Sequence, residues 1–342
     1  MLETVQLPLS DPAWNAFVRS CAAAGPFHHP GWTRLLAECY GYRPLALAVV
    51  DTNGDIVGGL PALDVQRPFG GHRYVSLPFT DYCPLLSASG AVAAVTQSLV
   101  TATTTLRLDA LEVRAALPPR ERVHTSAHAV RHTLVLADDP EVVARGISKH
   151  HRRNIRRAEQ ADLTFQFGTC VSDMRAFYRL HLVTRQRLGV PIQPWHFFEA
   201  LAGMLEREQL GFVLIAYLDN APIAAAVFMT WQGVMIYKYG ASDPDFWEHR
   251  PNNMLFWQAI RWGCARGLRV LDWGRTDFDN AGLREFKSGW GAREEPLTYS
   301  VIADRPPLPA SGRINRAMAP VIRRSPTWVC RALGEVLYRY AA

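Results

Sequence analysis

Two stretches constrain the fold more than any others: "RPLALAVVDTNGDIVGGLPALDV" from Arg43 to Val65 and "FVLIAYLDNAPIAAAVFMTW" from Phe212 to Trp231. Each is a pair of apolar runs divided by a turn dipeptide, Asn53-Gly54 in the first and Asp219-Asn220 in the second. Such dipeptides supply the positive φ angles of a tight turn, so both stretches predict antiparallel β-hairpins. A chain of 342 residues is long for one core and comfortable for two of about 150 residues each. Hydrophobic residues at 49% and charged residues at 20% exclude disorder for most of it.

The same order of elements surrounds each hairpin. Helical patterns over residues 11–40 precede the first, and the strand "HRYVSLPF", a helix over 90–107 and the strands "DALEVRAA" and "VRHTLVLA" follow it. After "DDPEVVARGI" come a helix through a basic run, the strand "LTFQFG", and helices at 172–188 and 197–208. The second hairpin, the strand "GVMIYKYGAS", a helix over 253–266 and the strand "LRVLDWG" close the unit. No residue-level repeat accompanies this shared order. The reading divides the chain into 1–145, 146–304 and a basic helical tail, 305–342.

The formal charge of +6 is local: from Arg305 to the end there are seven Arg against the single Glu335. A second basic site is the run "SKHHRRNIRR", with five Lys or Arg between Lys149 and Arg157. Such patches suit an anionic partner such as RNA, a phosphorylated precursor or a membrane surface, and no DNA partner is expected. The six cysteines are scattered without metal-ligand spacing, so reduced thiols and no metal are expected. The start of the chain has no signal-peptide pattern and no run nears the roughly 18 apolar residues of a spanning helix. A cytoplasmic location is expected, with the tail as a candidate membrane-peripheral contact.

Helices, a long hairpin and then β-α-β with a mixed sheet is the order of the Gcn5-related N-acyltransferase (GNAT) fold, one α/β solution among several on physical grounds. Specific residues sharpen it. The stretch "LDWGRTDFDNAGLREFKSGWGAREEPLTY", Leu271 to Tyr299, resembles the C-terminal signature of the FemAB (FemABX) family of peptidyl and aminoacyl transferases, centred on Phe286-Lys287-x-x-Trp290-Gly291. "HHPGWTRLLAECYGYRPLALAVV", "SKHHRRNIRRAEQADL" and "RLGVPIQPWHFFEAL" resemble further family segments in order, so the similarity runs from about residue 28 to 300. It implies an α/β chain of two tandem GNAT-like domains, with mixed, mainly antiparallel sheets and one active site between them. The implied reaction is transfer of an amino acid from aminoacyl-tRNA to an amine of a peptidoglycan precursor or a peptide-like natural product.

Aminolysis of an ester needs a neutral amine held at the carbonyl, a stabilised oxyanion and a proton route to the leaving group. Lys287 is the lead for the second or third, with Phe286 and Trp290 supplying apolar surface that strengthens its charge. On that reading Lys287→Met costs roughly 10²–10³ in turnover and leaves the fold intact; the alternative is a surface lysine in a loop. Asp81, in "LPFTDYC", is placed to hold or deprotonate the acceptor amine, or to make a turn. Tyr237 and Tyr239, two apart on a strand, are expected on one face with Lys238 on the other. Lys149, Arg153, Arg156 and Arg157 share a broad helical face with Arg152 beside it, suited to phosphates or simply solvated. The candidate catalytic residues are Lys287, Phe286 and Asp81. The candidate substrate contacts are Lys149, Arg152, Arg153, Arg156, Tyr237, Tyr239, Arg275 and Trp290. Asp272, Asp277 and Asp279 lack the pattern of a calcium loop, with Arg275 among them.

The donor has its own signal. Acetyl-CoA users of this fold cradle pyrophosphate on a glycine-bearing loop at a helix N-terminus. Here that place reads "DPDFWEHRPNN", without glycine, and the glycines of "FGGHR" at 69–73 precede a strand instead. The absent glycine counts against CoA; the family resemblance implies aminoacyl-tRNA as the co-substrate, with no cofactor expected and acyl-CoA as the alternative donor. A non-catalytic scaffold for an anionic precursor or RNA is the third reading. The tail, with Val321, Ile322, Trp328, Val329, Leu333, Val336, Leu337 and Tyr340 amid five Arg from Arg316 to Arg339, suits a membrane-surface helix or packing onto the second domain.

Overall fold

The computed structural model describes residues 2–66, 72–88, 90–307 and 313–338; Gly70 and Gly71 of the "FGGHR" stretch lie outside them, as do residues 308–312 of the linker. The elements run β1 (Glu3–Leu7), α1 (Pro12–Ser20), α2 (Pro30–Tyr40), β2 (Arg43–Val50), β3 (Ile56–Gln66), β4 (His72–Ser76) and β5 (Leu86–Ser87). There follow α3 (Val92–Thr105), β6 (Ala110–Val113), β7 (Val123–Val135), α4 (Pro140–Gly146), α5 (Lys149–Glu159) and β8 (Thr164–Gly168). Next come α6 (Val171–Leu188), α7 (Trp195–Arg207), β9 (Gly211–Leu218), β10 (Ala221–Trp231), β11 (Val234–Ser242) and α8 (Pro251–Cys264). The chain ends with β12 (Val270–Thr276), α9 (Ala281–Ser288), β13 (Arg293–Ile302), α10 (Arg313–Arg324) and α11 (Thr327–Leu337).

Packing separates two compact units: Met1–Val130 with Glu295–Pro309, and Arg131–Glu294 with the tail. The division falls inside β7 rather than at residue 145. Most of β13 groups with the first unit, a return that a linear reading of pattern cannot see.

In the first unit the strand order is β1-β2-β3-β4-β6-β13-β7, with β5 on β3. The β2–β3 hairpin pairs Leu47 with Leu60 and Ala48 with Gly59. Its turn is longer than a dipeptide: Asp51 Oδ1 accepts from the N–H groups of Asn53 (2.8 Å) and Asp55 (3.0 Å). Gly54 takes φ +86° there, while Asn53 stays at negative φ. Trp14 of α1 packs on the hairpin at Gly59, where a Cβ would lie 2.8 Å from the indole and 2.4 Å from Leu47 O. Asp11 caps α1 by accepting from Trp14 N at 2.9 Å, so the cap also sets the tryptophan. Leu47, Leu60, Tyr74, Leu99 and Leu111 lie in the core between sheet and α3.

In the second unit the order is β7-β12-β11-β10-β9-β8. The β9–β10 turn is the two-residue type expected, with Asp219 at φ 49° and Asn220 at 63°. The core on one side of this sheet is built from α5, α8 and the strands, with Phe228, Phe256, Trp273 and Trp290 among its large members. Helices α6 and α7 cover the other side, and α10 and α11 pack on α6. The tail therefore folds back onto its own unit: Arg185 Nη2 donates to Tyr338 Oη at 3.0 Å and Arg323 Nη2 to Leu188 O at 3.2 Å.

Candidate functional site

In the second unit β11, α8 and β12 form a β-α-β unit whose strands pair in parallel over Val234–Ile236 and Val270–Asp272. Both strands continue past that pairing, and the carboxyl ends of parallel strands are where open α/β sheets take ligands. The register of β11 against β10 shifts there: Val227 faces Tyr239, yet Phe228 faces Tyr237. Lys238 is thus an extra residue, a β-bulge of the kind found beside functional sites.

The bulge overturns one expectation. Tyr237 and Tyr239 do not share a face, because the extra residue cancels the two-residue alternation. Tyr237 packs on the α8 side, with its ring 4.9 Å from Phe256 and 6.4 Å from Trp273. Tyr239 packs on the α6–α7 side, 5.5 Å from Phe198 and 5.8 Å from His181, and accepts from Gln193 Nε2 at 3.4 Å. Burial raises the pKa of the Tyr237 phenol, which sits against Gly240, where any Cβ would overlap it.

The end of β12 is held by Lys287. That residue lies on α9 rather than in a loop and is 2% exposed. Its Nζ donates to Trp273 O (2.6 Å), Gly274 O (3.3 Å) and Arg275 O (3.2 Å). An ammonium has three donors, and three carbonyls meet them. The group thus fixes the strand end around Gly274, at φ +65°, instead of standing open to an oxyanion. Asp272 completes the hold: Oδ1 accepts from Gly274 N and Oδ2 from Arg131 Nε, both at 2.8 Å. Beside it His132 is fully buried, and desolvation first, then the Lys287 charge, lowers its pKa. His132 Nε2 lies 3.1 Å from Glu294, whose carboxylate takes two bonds from Arg284, at 2.9 and 2.7 Å.

The other motif residues are pinned as firmly. Phe286 O accepts from His151 Nε2 at 2.8 Å, and His151 Nδ1 accepts from Asn253 Nδ2 at 3.0 Å. One donor and one acceptor make the ring neutral, and burial lowers its pKa accordingly. The ring stacks on Trp290 at 4.9 Å and meets the Phe286 ring edge-on at the same distance. Ser148 N donates to Gly289 O at 2.8 Å, and Gly291, at φ +80°, abuts Gly146 O. Trp290 is fully buried, and its Nε1 has no partner among the described residues.

The opposite face of α5 is open. Lys149, Arg153, Arg156 and Arg157 are exposed and Arg152 is half-buried, while His151, Asn154, Ile155 and Ala158 turn inward. Ser148 starts the helix by accepting from His151 N at 3.3 Å.

Residues 145–288 match the family model described as an acetyltransferase (GNAT) domain. Among solved structures the chain is similar to FemX, with TM-score 0.68 and 14% identity over 88% of this chain and 98% of that one. It is similar to the C-terminal domain (DUF2156) of a putative lysylphosphatidylglycerol synthetase from Agrobacterium fabrum, with TM-score 0.57 and 11% identity over 91% and 95%. A tandem GNAT protein from the clavulanic acid biosynthesis pathway matches with TM-score 0.55 and 15% identity over 90% and 100%. The fold is a FemX-like tandem GNAT fold. No curated protein matches the chain. The GNAT match spans α5 to α9 and so contains the bulge, the β-α-β unit and Lys287.

Within this GNAT unit the structure brings Lys287, Phe286, Trp290 and Tyr237 around Phe256 and Trp273. Arg275 joins through its carbonyl, while its guanidinium grips Asp277 Oδ1 at 2.8 Å. Tyr239 stands across the sheet and the α5 cations on the outward side of their helix. Asp81 belongs to the first unit, in a segment where Leu77 and Phe79 take positive φ, 66° and 58°. Positive φ at such bulky residues is strain, which gathers at functional sites. The segment is held by Trp32 Nε1 donating to Thr80 Oγ1 (2.8 Å) and Tyr299 Oη donating to Asp81 O (2.9 Å). Sequence reasoning passed over His151, Asn253, Arg131 and His132, and weighed Asp272 only as part of a metal loop. For His151 a signal existed: it opens the inward stripe 151, 154, 155, 158 inside the basic run. Among the described residues no helix is long and apolar enough to cross a membrane.

Proposed function

We propose that the chain is an N-acyltransferase that forms an amide, moving an amino acid from aminoacyl-tRNA to an amine of a cell-wall precursor or a peptide-like natural product. The observation that carries the donor assignment is the approach to α8 in a GNAT fold. Residues 244–249 form a 3-10 turn capped by Asp243, and Arg250, at φ 55°, leads into α8 with no side-chain cap. This segment has no glycine to bring its backbone against a pyrophosphate. The exposed cations of α5 supply instead a charged face for a phosphate backbone.

The step is aminolysis. The acceptor nitrogen attacks the ester carbonyl, the C–N bond forms, the ester C–O bond breaks, and the nitrogen's proton leaves with the tRNA ribose hydroxyl. Lys287 acts by positioning: it keeps Gly274 and Arg275 at the mouth of the splayed strands. Asp81 is the candidate group for holding the amine.

The test incubates purified protein with charged total tRNA or acyl-CoAs and candidate amines, follows new amide by mass, and adds RNase. Product abolished by RNase is the expected result. Product that needs only acyl-CoA sinks the tRNA assignment and favours the second reading, an acyl-CoA-dependent enzyme, which the acetyltransferase description of residues 145–288 supports. Tight RNA binding without product from any donor would make the chain a scaffold.

A further inference from the structure

The two tail helices have a divided surface. On α11 the residues Val329, Cys330, Leu333, Gly334 and Leu337 turn inward, with Cys330 Sγ donating to Val190 O at 3.4 Å and Gly334 packed on the Ile192 backbone. The complementary stripe, Trp328, Arg331, Ala332, Glu335 and Val336, has helical spacing and is exposed throughout. On α10 Ile322 is buried, whereas Pro320, Val321 and Arg324 face outward. The outward face therefore carries Trp328 at 67%, Val336 at 61% and Val321 at 57% exposure, interleaved with Arg324 and Arg331.

A large indole left outward beside valines and arginines is the composition of a surface that meets the boundary of a bilayer. The charge decides the lipid: from Arg305 to the end the sequence has seven Arg against the single acid Glu335, and Arg324 and Arg331 lie on the outward face. Phosphates of a nucleic acid would use the arginines but leave Val321 and Val336 without a role. We propose that the outward face of α10 and α11 docks the protein on an anionic lipid surface, with Trp328 entering the interface and Arg324 and Arg331 beside the lipid phosphates.

The experiment measures co-sedimentation of the full chain with vesicles of phosphatidylcholine alone and of phosphatidylcholine with phosphatidylglycerol at about 7:3. Binding is expected to the mixed vesicles only and to fade with salt. Arg324→Gln and Arg331→Gln should each weaken it by roughly fivefold, and Trp328→Ser by roughly tenfold or more. A second readout needs no loss of binding: brominated lipids in the mixed vesicles should quench fluorescence of the wild type and not of Trp328→Phe. Equal sedimentation of all variants, indifference to phosphatidylglycerol, or equal quenching in Trp328→Phe overturns the proposal. So does a tail face whose substitution releases charged tRNA but not vesicles, an outcome that assigns the arginines to RNA.

Discussion

Two stretches that resemble FemAB proteins, the Phe286–Gly291 motif and the basic run of α5, use their polar groups in opposite ways. The motif turns inward: Lys287 is saturated by three carbonyls and Phe286 O is taken by His151. The run turns outward, with four exposed cations on one side and His151 on the other. Motif strength in a sequence thus reports how tightly a segment is bound into its own fold as much as what it binds. The open face carries less pattern because solvent accepts many residues there.

The sharpest way to break this contrast is Lys287→Met. Removing the ammonium leaves three carbonyls short of a donor in a buried place, at a cost of roughly 3 kcal/mol or more. Urea unfolding should show it. An unchanged midpoint with turnover lost would restore Lys287 as a catalytic group and remove it as a clamp. Gly291→Ala comes next: its φ of +80° and the nearness of Gly146 O predict a loss of roughly 1–2 kcal/mol. A neutral alanine there would loosen the link between the motif and α4.

His151 joins the two stretches, and pH tests it. Its folded-state pKa lies below the ordinary 6.5 because of burial, so the unfolded chain takes the proton more readily. Its contribution is full above about 6.5 and is lost as pH falls through that value toward the folded one, with a slope of at most ~1.4 kcal/mol per pH unit. His151→Gln should flatten the fall in urea midpoint between pH 7 and 5 relative to wild type. An unchanged slope would mean His151 is not the hinge of the comparison. The smallest effect on stability belongs to the double variant Arg153→Gln, Arg156→Gln, within about 0.5 kcal/mol. Filter binding of charged tRNA should nonetheless weaken, with the salt slope reduced by roughly one per lost contact. Unaltered affinity and slope would make the outward face merely solvated.

Much of the fold was legible because it rests on local rules. The hairpins followed from apolar runs and turn residues, α1 from Asp11 and Pro12, and the GNAT order from the succession of elements. What escaped depends on contacts far apart in the chain. The bulge at Lys238 arises from register against β10 and sends two tyrosines to opposite cores. His151 and Phe286 O meet across 135 residues. The helix carrying Lys287 is a short turn between a strand end and Trp290, with Asn280 capping it by accepting from Leu283 N at 3.1 Å, a signal easily taken for a loop.

The return of β13 to the first unit sets a schedule for synthesis. Residues 131–294 must leave the ribosome before Leu297, Tyr299 and Ile302 arrive, and Ser300 is the partner of Val113 on β6. At about 5–20 residues per second the first unit waits on the order of ten to thirty seconds with the β6 edge unfilled. An unfilled edge invites pairing with another nascent chain. A fragment ending at residue 145 would keep that vacancy permanently, so the halves should be produced as one polypeptide rather than as separable modules.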